Sequence, residues 1–423
     1  MLRYLRPSTG RLWAYYVAAV IYIFSVWEHI PYGGGHIYSD IATVFQVRFC
    51  STGPCIIALP YVHVFVEYPF IVGMFIYVMA LLGQSAPILP SQGLLINYYL
   101  YSTIFLAVPT FLSIRELFKL GDLLGLKSSR RRILLYFIIT PTFVFMVLLN
   151  WYIIGVFLAL FGLRKFLTGS TWVAGALLGL SAAANLITAV PALGLLLSAR
   201  NAKAGGKFVG GALISFGLVC LPFLAASPGY FSQFVTYEAN WYVEGSWMLL
   251  FISISSPLRH IIFPVSFVVL GGLIAYKGLR VRRRARVEQD WRSLAVMMAA
   301  LFSFDWLFSS YVATPQTNAM LLPFFVLAPI AFYPEFLVFD TATSLIDVWG
   351  FSQPLLVLGI TLHPIPFGSP FQSPIQALEA IKSLWIGKFL IYDGLLRSKF
   401  LPRSSLRPKV ASAEGLVRQH PTT

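Results

Sequence analysis

The sequence has 423 residues, of which 58% are hydrophobic and only 11% are charged, and its mean hydropathy is +0.76. This composition excludes a water-soluble enzyme and a disordered chain, and the continuous apolar stretches exclude an outer-membrane barrel. At roughly 20 apolar residues per crossing, the length predicts an all-α, polytopic membrane bundle of about 11–13 helices. We expect one transmembrane domain over 1–400 and a basic cytoplasmic tail over 401–423.

The net charge is +15, but the basic residues fall in short blocks between the apolar stretches. That pattern sets membrane topology rather than nucleic-acid binding, and it predicts that every block faces the cytoplasm. An even number of crossings must then separate neighbouring blocks. Three apolar stretches, near 12–27, 69–83 and 96–113, lie between the first two blocks, so one of them does not cross.

The middle stretch of this trio is short and is flanked by prolines. We therefore predict a re-entrant or interfacial helix there, inside one long outer loop over 28–95. The later stretches pair as crossings without conflict. These pairs are 132–149 with 151–163, 171–184 with 186–198, 208–226 with 259–276, and 293–310 with 319–334, followed by 336–360, an outer Pro-rich loop and a short return near 384–396.

The predicted outer loops combine carboxylates with a high density of aromatic residues, an arrangement that either anchors a membrane interface or holds sugars. Asp40 is the best candidate for a general base, because partial loss of water near the membrane surface raises the basicity of a carboxylate. The alternative is that Asp40 caps a helix beginning at Ile41. Cys50 and Cys55 are spaced to close a small loop if that side is oxidising, and their pairing stays open.

Asp40, Pro60-Tyr61 and Glu67-Tyr-Pro69 occur in an order and spacing that resemble the GT-C superfamily of integral-membrane glycosyltransferases. The likeness is greatest to its polyprenyl-phosphate-mannose (dolichyl-phosphate-mannose) dependent branch, although Phe70 replaces the second Pro of the usual Glu-Tyr-Pro-Pro. Three later stretches add to the resemblance: Asn150-Trp151, the run from Ala174 to Pro191, and Thr314-Pro-Gln316 with Leu322-Pro323.

The resemblance implies an inverting transferase that moves a sugar, with mannose expected, from a polyprenyl-phosphate donor to a glycolipid or glycan acceptor. It implies an extracytoplasmic site in the plasma membrane, or in the endoplasmic reticulum of a eukaryote, with Asp40 as base and with no cofactor, metal or nucleic acid. The substrate-binding candidates are Tyr38, Tyr61, Glu67, Tyr68, Asn185, Glu244, Arg259 and Gln316.

The family's usual lysine for the leaving phosphate is missing here, where Asn185 stands in an uncharged run. Arg259 is the first candidate to replace it, because a membrane-embedded arginine is commonly functional, although it can equally extend to the interface and bind any lipid phosphate. Arg48 is the second candidate. His36 and His63 with Asp40 lack the tight spacing of a metal site.

Two other functions remain open at this stage. Asp305, Asp340 and Asp347 fall in or near late apolar stretches, and buried acids of this kind fit an ion-coupled or lipid-linked-sugar transporter. The sequence shows no inverted repeat of hydropathy, which transporters commonly have. A catalytically inert relative that only binds polyprenyl phosphate is the third possibility.

Overall fold

The structure is a computed structural model, and it describes residues 9–32, 37–51, 54–126, 128–283, 287–328, 333–350 and 374–397. Within these ranges the chain is helical and forms no β-strand, in agreement with the predicted all-α class; the β-pairing there is limited to the isolated bridges Pro60–Val64 and Glu244–Val312. The predicted Pro-rich loop and the basic tail over 401–423 lie outside the described residues, as does His36.

The described helices differ widely in length. They are α1 (Thr9–Glu28), α2 (Asp40–Phe49), α3 (Phe70–Ser85), α4 (Leu94–Leu123), α5 (Ser129–Ile133), α6 (Pro141–Met146), α7 (Tyr152–Leu167), α8 (Thr171–Ala184), α9 (Pro191–Leu197), α10 (Ala202–Ala226), α11 (Pro228–Asn240), α12 (Arg259–Arg282), α13 (Glu288–Ser309), α14 (Leu322–Leu327), α15 (Tyr333–Gly350) and α16 (Pro374–Gly387), which continues as a π-helix over Lys388–Arg397. Two longer connections, 50–69 and 241–258, separate α2 from α3 and α11 from α12.

In the described part of the chain, four helices, α4, α10, α12 and α13, are long and apolar enough to cross a membrane. Two of them face outward: only 17% of the most apolar part of α10 and of α12 is buried, and Leu218 of α10 is 72% exposed. Apolar surface of this extent is unfavourable in water. The four helices are therefore compatible with a membrane protein.

Ion pairs bring several basic blocks together at one end of the bundle. Arg11 near the start of α1 pairs with Asp122 at the end of α4, at 2.6 Å. Arg200, just before α10, pairs with Glu288, the first residue of α13. We call this the basic end. The long helices α1, α10 and α13 therefore begin at this end, and α4 finishes here and runs in the opposite direction.

Both ends of α3 lie at the end opposite the basic end. Its first residue, Phe70, stacks on Phe223 near the end of α10, with ring centroids 5.1 Å apart. Just beyond its last residue, the carbonyl of Ala86 accepts a hydrogen bond from the hydroxyl of Tyr101 near the start of α4. A 16-residue helix is about 24 Å long, less than the roughly 30 Å of a hydrocarbon core. The placement of this stretch as a re-entrant or interfacial helix stays a prediction.

Two breaks in regular helix bring polar residues to this same end. The predicted stretch 132–149 consists of α5, a π-helical turn over Leu134–Ile138 and α6, and it ends just before Asn150. The helix α8 stops at Ala184 because Asn185 is extended, and the chain restarts in the 3-10 turn Ile187–Ala189 before α9. Asparagine side chains compete for backbone hydrogen bonds, so they favour such interruptions.

Candidate active site

A cavity of about 360 Å³ opens at the end of the bundle opposite the basic end. Its walls come from the loop before α2, the start of α3, the breaks before α7 and after α8, α11 with the loop that follows, and the turn before α14. The lining residues are Tyr38, Asp40, Val44, Glu67, Tyr68, Pro69, Leu149, Tyr152, Asn185, Leu186, Ile187, Phe234, Tyr237, Glu238, Trp241, Tyr242, Glu244, Val312, Thr314 and Gln316.

Asp40 is the first residue of α2, and it is 7% exposed. The N-cap position of this helix belongs to Ser39, whose hydroxyl donates to the carbonyl of Leu148. The Asp40 carboxyl group instead accepts a hydrogen bond from the Tyr68 hydroxyl at 2.5 Å. Burial raises the pKa of Asp40 above its ordinary value, while the hydrogen bonds from Tyr68 and Tyr38 partly oppose that rise.

Tyr61 does not line the cavity, but it holds the segment that does. Its hydroxyl donates to the carbonyls of Tyr68, at 2.6 Å, and Pro69, at 2.9 Å. The residue adopts a φ of +62°, which is uncommon for a tyrosine. Its ring packs so closely on α3 that a Cβ added to Gly73 would lie 2.1 Å from the hydroxyl oxygen. Tyr61 therefore fixes the backbone of the segment that carries Tyr68.

Glu67 contributes a second carboxylate to the wall, and it is paired with a cation. Its Oε2 accepts a hydrogen bond from Nε of Arg48 at 2.8 Å. The Arg48 guanidinium also lies 5.2 Å from the centre of the Phe65 ring. This ion pair holds the Arg48 guanidinium against a residue that lines the cavity.

Asn185 and Gln316 bring amide groups to the wall from two distant turns. The Oδ1 of Asn185 accepts a hydrogen bond from the backbone N–H of Ile187, so its amide group is held in the break after α8. Gln316 lies in the 3-10 turn Pro315–Met320. Amide groups both donate and accept, which suits them to bind hydroxyl groups.

Glu244 lines the cavity from the loop after α11, and it is 4% exposed. The loop that carries it is fixed to the segment after α13, because its N–H donates to the carbonyl of Tyr311 and its carbonyl accepts from Ala313, each at 2.8 Å. Its Oε2 accepts a hydrogen bond from Nε1 of Trp241 at 2.9 Å. Burial and the nearby charge of Glu379 raise the pKa of Glu244 above its ordinary value.

Two charged residues of α16 are buried directly behind Glu244. Lys382 donates to the carbonyl of Ala313, and Glu379 accepts a hydrogen bond from the N–H of Gly245 at 3.0 Å. Gly245 has a φ of +70°, and a Cβ there would lie 2.0 Å from the Ala313 carbonyl oxygen. Neither residue was among the candidates predicted from the sequence. A glutamate and a lysine three positions apart in an apolar helix could have indicated a buried charged pair.

Arg259 lies outside the cavity lining. It is buried at the start of α12, where Nη1 donates to the carbonyl of Ser256 at 2.9 Å. Its guanidinium carbon is 5.8 Å from the ring centre of Tyr311, whose carbonyl in turn binds the backbone of Glu244. Of the two arginines considered from the sequence, Arg48 is thus the one beside the cavity.

The structure also places the two cysteines and the late acidic residues that were considered from the sequence. Cys50 and Cys55 form a disulfide that closes the loop after α2. Asp305 accepts a hydrogen bond from Ser309, and Asp340 accepts one from the backbone of Thr142; neither lines the cavity. The side chain of Asp347 lies outside the described residues. Within the described part of the chain, no group of three or more His, Cys, Asp or Glu residues is arranged to hold a metal.

No protein-family model matches this sequence, and a search of curated proteins finds no match either. The function must therefore be argued from the site itself.

Proposed function

We propose that this protein is an integral-membrane glycosyltransferase that moves a sugar from a polyprenyl-phosphate donor to a hydroxyl of a glycolipid or glycan acceptor. One observation carries the proposal: a buried carboxylate of raised pKa, Asp40, lines a 360 Å³ cavity together with further carboxylates, amides and aromatic rings. Sites for small molecules commonly have about this volume. Aromatic rings bind the apolar faces of sugars, while carboxylates and amides bind their hydroxyl groups.

The polytopic membrane bundle, with its cavity on the extracytoplasmic side, is part of this proposal. The outward-facing apolar surfaces of α10 and α12 support a lipid environment. The clustering of basic blocks at the other end supports a cytoplasmic location for that end. A disulfide between Cys50 and Cys55, near the cavity, is consistent with an oxidising compartment.

In the proposed reaction, Asp40 accepts the proton of the acceptor hydroxyl as that oxygen bonds to the anomeric carbon of the donor. The bond between the anomeric carbon and the phosphate oxygen breaks, and its electron pair leaves with polyprenyl phosphate. Attack from the face opposite the phosphate inverts the anomeric configuration. A base of raised pKa suits this step, because proton transfer is most effective when the base has a pKa near the working pH.

Negative charge collects on the phosphate as it leaves, and it requires a cation or hydrogen-bond donors. Arg48 is our candidate for this role, since it is held beside the cavity by Glu67. Guanidinium groups bind phosphate with matched geometry. Asn185 is the neighbouring donor of hydrogen bonds, while Glu244 and Gln316 bind sugar hydroxyls on the opposite wall.

The test uses purified protein in lipid vesicles with polyprenyl-phosphate-mannose and, separately, polyprenyl-phosphate-glucose, each with a membrane glycolipid extract as acceptor. We expect the labelled sugar to appear in the acceptor with inverted configuration and polyprenyl phosphate to be released in equal amount. Movement of the intact donor across the vesicle membrane without release of polyprenyl phosphate would instead establish a transporter.

A further inference from the structure

A second, open cavity of about 560 Å³ lies beside the first. Tyr237, Trp241 and Tyr242 line both, so these three rings form a shared wall. The Trp241 ring centre is 5.2 Å from that of Tyr237 and 5.2 Å from that of Tyr242. We call these residues the aromatic wall.

The other lining residues of the second cavity are Ser232, Gln233, Thr236 and Asn240. Ser232, Thr236 and Asn240 recur every four residues on α11, and Gln233 adjoins Ser232 three residues before Thr236, so the four share one face of that helix. All carry uncharged groups that donate and accept hydrogen bonds, and none of the described residues lining this cavity is charged. A phosphate or a basic peptide would find no counter-charge here.

We infer that this second cavity binds the glycan of the acceptor, with sugars stacked on the aromatic wall and hydrogen-bonded to the polar face of α11. Sugars combine an apolar face with many hydroxyl groups, and this lining offers a partner to each.

The aromatic wall is tied to the first cavity, which connects the two sites. Trp241 donates its indole N–H to Glu244, and the Tyr237 ring packs edge-on against Phe65 at 5.6 Å. An oligosaccharide lying across the wall would present its terminal sugar to the first cavity and its next sugars to the second. This inference rests on the proposed function and narrows it, because it names an acceptor with at least two neutral sugars.

Binding is measured with Asp40→Asn protein of full length, so that turnover does not interfere. The probes are mannotriose, maltotriose and chitotriose, each compared with its monosaccharide, and the readout is saturation-transfer NMR with titration. We expect at least one trisaccharide to bind about tenfold or more tightly than its monosaccharide. The double variant Gln233→Ala/Asn240→Ala should weaken that binding by at least about tenfold.

The matched control is Gln84→Ala, which removes an amide from a separate cavity between α3 and α4 and should leave trisaccharide binding unchanged. Absence of binding by all three trisaccharides, or binding that the double variant leaves intact, would overturn the inference without touching sugar transfer by the unmodified protein. Trisaccharide binding that follows the expected pattern, together with no sugar transfer by the unmodified protein, would support the glycan site and reject the proposed reaction.

Discussion

The hydroxyl of Tyr68 donates a hydrogen bond of 2.5 Å to Oδ2 of Asp40. This bond favours the ionised carboxylate and lowers its pKa, in opposition to burial, which raises it. Asp40 acts as a base only above its pKa, where it is ionised. Tyr68→Phe should therefore raise the pKa of Asp40 and move the acid side of the pH–rate profile to higher pH.

Hydrogen bonds to charged groups contribute about 1.5–3 kcal/mol, so the rate of the Tyr68→Phe variant at a fixed acidic pH should fall by about tenfold or more. The measurement is the rate of sugar transfer from about pH 5 to pH 9 at saturating donor. A uniform loss at every pH, with no displacement of the acid side, would show that Tyr68 acts only on binding.

Asp40→Asn keeps the shape of the side chain but removes its ability to accept a proton. We expect transfer to fall at least about a hundredfold, or roughly 2.7 kcal/mol of barrier, with little change in thermal stability. Asp122→Asn is the control, because Asp122 lies at the basic end, half-exposed and paired with Arg11. Equal activity of the Asp40→Asn variant and the control would remove Asp40 from the role of base.

The variants Arg48→Gln and Arg259→Gln test which of the two arginines stabilises the leaving phosphate. Arg48→Gln should raise the KM for the polyprenyl-phosphate donor or lower kcat by about tenfold or more, because charge-assisted contacts are the stronger ones. Arg259→Gln should change the same constants by less than about threefold, since its guanidinium group contacts Ser256 and the Tyr311 ring, neither of which lines the cavity, whereas Arg48 is paired with the lining residue Glu67. The opposite ranking, in two variants of equal melting temperature, would transfer the phosphate role to Arg259.

Gly73 leaves room for the Tyr61 ring against α3. In Gly73→Ala the new methyl group would lie 2.1 Å from the Tyr61 hydroxyl oxygen, so the ring must move and release the carbonyls of Tyr68 and Pro69. We expect a loss of about 1–3 kcal/mol in unfolding free energy and reduced transfer. Gly206→Ala, at an open position inside α10, should be neutral or slightly stabilising. Equal thermal unfolding of the two variants would contradict this packing.

Cysteine labelling tests which side of the membrane the cavity faces. The sequence has three cysteines, of which Cys50 and Cys55 are bonded to each other, so the Cys220→Ser variant has no free thiol. In that background, a membrane-impermeant maleimide should label Gln92→Cys on intact cells and Arg130→Cys only after permeabilisation, since both positions are exposed. The reverse pattern would put the cavity in the cytoplasm.

The sequence carries enough information to predict the helical class and most of one cavity wall. Asp40, Glu67 and Tyr68 come from one outer segment, where composition and motif order point to a common site. Glu244 and Gln316 lie far away in the chain, yet the structure brings them to the same cavity. The crossing pattern derived from charge blocks and apolar stretches stays a prediction.

The contacts of Arg259 and Lys382 could not be predicted from hydropathy and charge patterns. Hydropathy indicates that a charge lies near a helix end, but it does not say towards which neighbour the side chain turns. That direction depends on packing between helices far apart in sequence, here α12 against α13 and α16 against the loop of Glu244. The positioning role of Tyr61 could not be predicted from the sequence for a similar reason. Its contacts depend on the absence of a side chain at Gly73.

The contact between Gly245 and Glu379 has a consequence for biosynthesis. The loop that carries Glu244 receives its support from Lys382 and Glu379, which are the last residues of this region to leave the ribosome. Chains are inserted from the amino terminus onward, so this wall stays without its backing until α16 has joined the bundle. A nascent or prematurely terminated chain thus lacks these two contacts to the Glu244 loop until Glu379 and Lys382 have been synthesised.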